Sequence, residues 1–347
     1  MMKNVKNILI VRTDRIGDVV LTTPAVKILR QTYPKARLTM LVQPLTKDLV
    51  EENPYLDEVL VDDREHKNRG MAGFWKLVGT IREKKFDMAV IFHTKRRTNL
   101  LCFLAGIPVR LGYKDKKFGF LLTHPVEDRR FRGEKHESQY CLDVLRVFGI
   151  PCEETEFFVP LHQDAEVWAE QFLAQNSIAP QEILVALHVG ASDPSKRWLE
   201  EHFAELIDRL LGKYHCKIVL IGEVAIRHIT RKVLSLTHGP IFDLTGMTTI
   251  SQLASLLKRC AFMVSNDSGP VHVAAALGVP VVSIFTRNQP GINPERWQPL
   301  GERATFVSVP PDHSLSFAKA GVTDRHYLAQ IKPADVLEAV DGVFKLC

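Results

Sequence analysis

The chain of 347 residues lacks what builds metal centres and disulfide frameworks. Its six cysteines, Cys102, Cys141, Cys152, Cys216, Cys260 and Cys347, show no CxxC or CxxH spacing, and its thirteen histidines form no HxH or HExxH pattern. Thiols scattered this way read as buried and reduced, so neither a metal nor a cofactor is expected. No apolar run approaches the ~20 residues that span a bilayer. The N-terminal run NILIV is too short, and too soon followed by charge, for a signal peptide. The expectation is a cytoplasmic protein. The first strand is not followed by GxGxxG, which argues against a dinucleotide fingerprint. A DxD pair, a solenoid repeat and a low-complexity tract are missing as well.

What is present is a globular chain long enough for two domains of ~150 residues. Hydrophobic residues make up 46% and charged residues 24%, as in proteins that bury ordinary cores. The net charge of +5 hides an uneven distribution. Residues 64–135 carry 18 Lys and Arg against 7 Asp and Glu, a local +11, which leaves −6 for the rest. A field this lopsided suits a polyanionic partner: nucleic acid, an anionic membrane face, or a glycolipid bearing phosphates and carboxylates. The alternative is a solvated basic surface.

Apolar runs alternate with helical spacing along the whole chain. Strands are predicted at Asn7 to Arg12, Arg37 to Val42, Glu58 to Val61, Asp87 to Phe92 and Val109 to Tyr113, separated by helices, with a helical stretch from the first loop to about Tyr33 that holds Pro24 in its first turns. Lys114 to Arg132 reads as a long charged loop, and Ser138 to Phe148 as a helix. After a stretch from Pro151 to Pro180 that holds one helix, the alternation restarts with strands at Ile183 to His188, Lys217 to Ile221, Ile241 to Asp243, Ala261 to Val264 and Val281 to Phe285. Thr286 to Tyr327 reads as irregular, and Pro333 to Phe344 as a terminal helix. The fold class is therefore α/β, with two Rossmann-like doubly wound domains.

The most informative stretch is VSNDSGPVHVAAALGVP, Val264 to Pro280. A buried strand ends in a polar turn, and an Ala-rich helix with Pro270 in its first turn follows. N–H groups at such a helix start, with the macrodipole behind them, favour an anion, most usefully a phosphate. Two further loops stand at strand ends: RTDRIGD after the first strand, and SDPSKRW after ILVALH.

Asp-Ser-Gly-Pro with His272 two residues on resembles the C-terminal signature of the ADP-heptose:lipopolysaccharide heptosyltransferases, inverting glycosyltransferases of GT-B architecture. RTDRIGDVVLTTPAV is similar to their N-terminal motif, and SDPSKRW and RLGY resemble intermediate ones. The resemblance implies two domains facing a central cleft: residues 1–160 binding acceptor, a connection at 161–180, residues 181–325 binding the nucleotide sugar, and a C-terminal helical segment at 326–347 packing back on the first domain. It further implies transfer of heptose from ADP-heptose to the lipopolysaccharide inner core, at the cytoplasmic face of the inner membrane, with peripheral membrane contact and no nucleic acid. The number of subunits stays open.

An alcohol attacks a sugar only after its proton is taken, so a carboxylate base is required. Asp18, directly after Gly17, stands where the family's proposed base stands; its alternative role is to cap the following helix. Asp14 is the weaker candidate. Lys196, just before Arg197 and Trp198, stands where the family places a cation against the leaving diphosphate, with Ser192 or Ser195 beside it. Ser268 and Gly269 would give backbone donors, His272 a diphosphate or ribose contact, and Asp267 a turn or hydroxyl contact. Glu223 follows Gly222 at once, where relatives space the ribose-binding acid further on, and the loop Thr286 to Pro290 departs from their Gly-containing one. Arg15, Lys95, Arg96, Arg97, Lys114, Lys116 and Lys117 are candidates for the acidic acceptor. Three other readings stay open: a related enzyme using another nucleotide sugar, a sugar-nucleotide epimerase, and a silent glycolipid-binding protein.

Overall fold

The computed structural model describes residues 5–114, 118–153, 156–311 and 328–344. The chain divides into two compact units, Met1–Phe131 with Lys135–Pro160, and Arg132–Glu134 with Leu161–Cys347.

In the first unit six strands, β1 (Asn7–Val11), β2 (Arg37–Val42), β3 (Glu58–Val61), β4 (Met88–Ile91), β5 (Val109–Lys114) and β6 (His124–Glu127), form one parallel sheet in the order β3-β2-β1-β4-β5-β6. Its helices are α1 (Ile16–Val20), α2 (Thr23–Thr32), α3 (Gly70–Glu83), α4 (Arg96–Leu104) and α5 (Glu137–Val147). Leu9, Val11, Ala89 and Ile91 pack under α3 and α4 with Phe74, Leu77, Ile81 and Leu101. Strand alternation turns Ile8, Ile10 and Val90 to the other side, where they are equally buried. Burial on both faces is why β1 and β4 read as unbroken apolar runs.

The second unit repeats the plan. Strands β7 (Leu184–His188), β8 (Lys217–Leu220), β9 (Ile241–Asp243), β10 (Phe262–Asn266), β11 (Val281–Phe285) and β12 (Ala304–Ser308) are parallel in the order β12-β11-β10-β7-β8-β9. The helices are α6 (Gln163–Gln175), α7 (Glu200–Tyr214), α8 (Arg227–Leu236), α9 (Ile250–Lys258), α10 (Gly269–Ala276), α11 (Pro294–Trp297) and α12 (Pro333–Phe344). Phe203, Leu206, Ile207 and Leu210 place the apolar stripe of α7 on this sheet.

Several sequence expectations are corrected. The helical stretch expected after β1 comprises two helices that meet at Leu21 and Thr22. The span read as a charged loop holds β6, whose Pro125 and exposed polar residues suit an edge strand and hide it from a hydrophobic pattern. The span read as irregular holds β12, likewise a half-exposed edge. The stretch read as a connection belongs to the second unit: α6 packs on α9, and Arg259 donates to Glu166 and Glu170 at 2.8 and 3.1 Å.

The C-terminal helix was expected on the first domain. Instead Val336, Val340 and Val343 of α12 enter the core of the second unit beside Phe203, Val264 and Ile284, and Lys213 and Tyr214 of α7 hold Asp341. An apolar stripe at i, i+4 and i+7 finds its cover on the sheet beside it. Val340→Asp places a charge in that core and is expected to cost about 3 kcal/mol or more in denaturant unfolding, whereas Glu338→Ala on the exposed side costs under about 0.5 kcal/mol.

Candidate functional site

Both sheets change direction between their two central strands, β1 and β4 in one and β7 and β10 in the other. Open parallel sheets bind ligands outside the carboxyl ends of such strands. Each unit carries a polar cluster there.

In the first unit β1 runs into Arg12, which is 1% exposed, and whose N–H extends the ladder to Leu41 O at 3.0 Å. A guanidinium stays protonated, so its burial needs anions. Arg12 Nη2 donates to Asp18 and, at 3.1 Å, to Glu137 Oε1 of α5; Nε lies 2.9 Å from Asp14 Oδ1; Nη1 donates to Phe92 O at 3.4 Å. Glu137 also lies 3.8 Å from Arg130, whose guanidinium sits 3.9 Å over the Tyr113 ring.

Asp18 therefore stands in the first turn of α1 with its carboxylate on Arg12, and the cap positions of α1 and α2 are Arg15 and Thr22. The capping role is not the one it plays. Burial, then the neighbouring Asp14, push the Asp18 carboxyl up to about 6, against the opposing pull of Arg12. Asp14 is raised in the same way, burial first. His93, at the end of β4, is pushed down to about 3 by burial and then by Arg12, Lys95 and Arg64, so it is neutral at physiological pH. Its Nδ1 lies 3.1 Å from Thr13 Oγ1, which also accepts from Arg64 at 3.0 Å.

The acceptor candidates separate. Arg15, Lys95, Arg96 and Lys114 are exposed. Arg97 is used within the domain: it donates to both oxygens of buried Asp62 at 2.9 and 2.8 Å and stacks 5.0 Å from the Phe74 ring. Lys116 and Lys117 lie outside the described residues.

In the second unit β7 ends at His188 and β10 at Asn266, with Ser265 opposite His188. Ser268, the residue preceding α10, has its hydroxyl 3.1 Å from His188 Nδ1 and 2.9 Å from Ser265 Oγ. Burial pushes His188 down to about 4, so this ring is neutral too. Asn266 stitches the β7 loop in place: its amide donates to Val189 O and Gly190 O at 2.9 and 3.2 Å, and its oxygen accepts from Trp198 N at 2.9 Å. Trp198, almost fully buried, donates to Ile331 O at 3.0 Å.

On that anchored loop Lys196 forms an ion pair with Asp267, at the entrance to α10. Lys196, Asp267, Ser268 and Gly269 are thus brought together, with His272 buried in the same helix. Ser195 is half-buried: its N–H and hydroxyl donate to Asp193 at 2.9 and 2.7 Å, and Arg287 donates to both Ser195 and Asp193 at 3.1 and 3.0 Å. Ser192 is exposed nearby. Glu223 is exposed beyond the end of β8, next to Gly222, whose φ of +152° few other residues adopt. An ammonium group beside the amides of a helix start is an arrangement for an anion of phosphate type.

Sequence reading missed Arg12, His93, Glu137, His188, Asn266 and Arg287. A polar residue closing an otherwise apolar strand was the available signal for Arg12, His188 and Asn266. The contacts of Glu137 and Arg287 depend on distant segments.

Comparison with known proteins follows this geometry. Lipopolysaccharide heptosyltransferase 2 of Escherichia coli is 25% identical over 97% of this chain and 98% of its own length. The crystal structure of the glycosyl transferase family 9 protein from Veillonella parvula superposes with a TM-score of 0.90 at 24% identity, covering 100% of this chain and 99% of the other. E. coli ADP-heptose lps heptosyltransferase II superposes with 0.78 at 22% identity, covering 98% and 99%. The two parallel-sheet α/β domains are those of the GT-B fold. Residues 74–325, well over half of the sequence, match glycosyltransferase family 9 (heptosyltransferase), and the chain belongs to that family.

Proposed function

We propose that the protein moves heptose from ADP-heptose onto the inner core of lipopolysaccharide in a single inverting displacement. The names of its relatives support the donor and acceptor classes. The observation that carries the reading is Asp18: a carboxyl at the ligand-binding edge of the first sheet, anchored by a buried guanidinium and raised to about 6.

In this reading Asp18 takes the proton of the acceptor hydroxyl as its oxygen attacks the anomeric carbon. The bond from that carbon to the diphosphate oxygen breaks on the opposite side, and ADP departs with the electron pair. Lys196 and the amides at the start of α10 hold the diphosphate as charge develops on it. The neutral His188 keeps the Ser268 hydroxyl in place for the same group. Glu223 serves the ribose, and Arg15, Lys95, Arg96 and Lys114 serve the phosphates and carboxylates of the acceptor. The reaction takes place on the cytoplasmic face of the inner membrane, with the protein peripherally bound.

Asp18→Asn keeps the shape and removes the base. Transfer is expected to fall by at least ~100-fold, while ADP-heptose affinity by calorimetry stays within about threefold. Unchanged turnover removes Asp18 from the mechanism, and the same measurement on Asp14→Asn tests the neighbouring carboxyl.

A base must be ionised to accept a proton, and the Asp18 carboxyl is raised, not lowered. Log kcat/KM is therefore expected to fall with unit slope below about pH 6 and to level off above it. An acid limb near pH 4, the ordinary carboxyl range, contradicts the assignment.

Lys196→Met removes the cation against the leaving group. A loss of about 100-fold in kcat/KM is expected, with nucleotide-sugar affinity reduced as well. Thermal shift with a panel of nucleotide sugars then reads the donor: ADP-heptose is expected to raise Tm most, and a preference for a UDP-sugar transfers the reading to a related enzyme.

A further inference from the structure

The outer side of α3 and α4 is as apolar as it is basic. On α3, Phe74, Leu77, Val78 and Ile81 are spent on the core. One turn apart on the flank of that stripe, Met71 is 70% and Trp75 49% exposed. Phe103 on α4 is 45% exposed, and Phe120, in the turn Gly119–Leu121, is 77% exposed. These elements are neighbours, α3 against α4 and α4 against the turn. Four large apolar side chains on adjoining elements thus stay exposed, though Trp75 meets Phe74 edge-on, Phe120 meets Phe118 and Arg110 lies over Phe103, and exposed apolar surface of this kind marks interaction surfaces.

Charge decides what covers it. Residues 69–122 contain 12 Lys and Arg against 3 Asp and Glu, and Arg69, Lys76 and Arg82 on or beside α3 are exposed. A second copy of this chain would bring the same positive face against itself. An anionic lipid surface matches both halves of the composition: aromatic and Met side chains enter the headgroup region while Lys and Arg stay among the phosphates. None of the helices among the described residues is long and apolar enough to cross a membrane.

We infer that the outer face of α3, α4 and the Gly119–Leu121 turn docks the protein on an anionic phospholipid bilayer. The inference deepens the proposed function, which requires a glycolipid acceptor, and rests on that reading for the effect on transfer; lipid binding itself does not depend on it.

Flotation of the full chain with vesicles of phosphatidylethanolamine and phosphatidylglycerol, against vesicles of phosphatidylcholine, tests it. Binding is expected on the anionic vesicles and is expected to weaken as salt is raised from about 0.1 to 0.5 M. Trp75→Ala with Phe120→Ala is expected to lower partitioning at least ~10-fold with Tm unchanged, and Arg69→Glu with Lys76→Glu to abolish the preference for anionic lipid. With the first pair, transfer to a water-soluble deacylated acceptor stays within about twofold, while transfer to acceptor embedded in vesicles falls with the partitioning. Equal partitioning of wild type and both variants overturns the inference, as does a wild type that ignores anionic vesicles. A dimer that the first pair dissociates, without change in lipid binding, assigns the face to a second copy instead. If the variants lose vesicle binding and the wild type transfers heptose to neither acceptor, the docking face stands and the proposed function falls.

Discussion

A guanidinium that cannot lose its proton lies buried at the end of the first central strand, and much of the first unit's polar edge is arranged to neutralise it. Arg12 gathers Asp14 from its own loop, Asp18 from α1 and Glu137 from α5, more than a hundred residues away. Three carboxylates around one guanidinium leave surplus negative charge, which Arg130 reduces by approaching Glu137. The remainder falls on the carboxyls that keep some access to water, and burial together with mutual repulsion raises Asp14 and Asp18. A single buried cation thus fixes the position of Asp18, while burial and Asp14 raise its carboxyl against the pull of that cation. His93, close to the same cation, is left neutral.

The second unit uses the same strand order with the opposite electrical outcome. Lys196 and Asp267 cancel each other as an ion pair, so the positive end of α10 stands without a net opposing charge. The anchoring also differs. Arg12 holds its neighbours by charge, whereas the loop bearing Lys196 combines neutral hydrogen bonds, from Asn266 to three backbone groups and from Trp198 to Ile331, with the ion pair of Arg287 and Asp193. One topology therefore yields a carboxylate-rich edge around a buried cation in one domain and a helix start beside an ion pair in the other, through the residues at and beyond the ends of its central strands.

Much of this was legible in the sequence because buried parallel strands and Ala-rich or amphipathic helices have distinct periods. NILIV, DMAVIF and ILVALH announce central strands, while the polar turn expected at Ser265 to Gly269 shrinks to Asp267 and Ser268, because β10 runs on to Asn266 and α10 starts at Gly269. The edges were not legible. HPVE and ATFVS lack the apolar density of a strand buried on both faces, and each is held mainly by pairing with one neighbour. Asp18 and Lys196 stood out because each lies in a stretch that follows a central strand and resembles a motif of the family. Glu137 gave no such sign, since its contact with Arg12 exists only after β1 and α5 have packed into one unit. The terminal helix was misplaced for a related reason: its Val336, Val340 and Val343 stripe says that a face is buried, and says nothing of which sheet buries it.

The basic run from Arg64 to Lys135 shows how far a charge count can be taken. Counted together, its cations describe one positive field. In the fold they divide by what their side chains touch. Arg64 and Arg97 are drawn to buried Asp62, Arg110 is tied to Ile107 and Leu121 carbonyls, and Arg130 lies on Tyr113 beside Glu137. These serve the unit's own structure. Arg69, Lys76, Lys95 and Arg96 remain on the outside, some beside the loops at the strand ends and some beside Met71 and Trp75. The excess of positive charge is therefore divided among a structural share, a share near the candidate acceptor edge and a share on an apolar face. Substitutions within this one run should accordingly separate into effects on stability, on acceptor affinity and on surface attachment, according to the atoms each side chain meets.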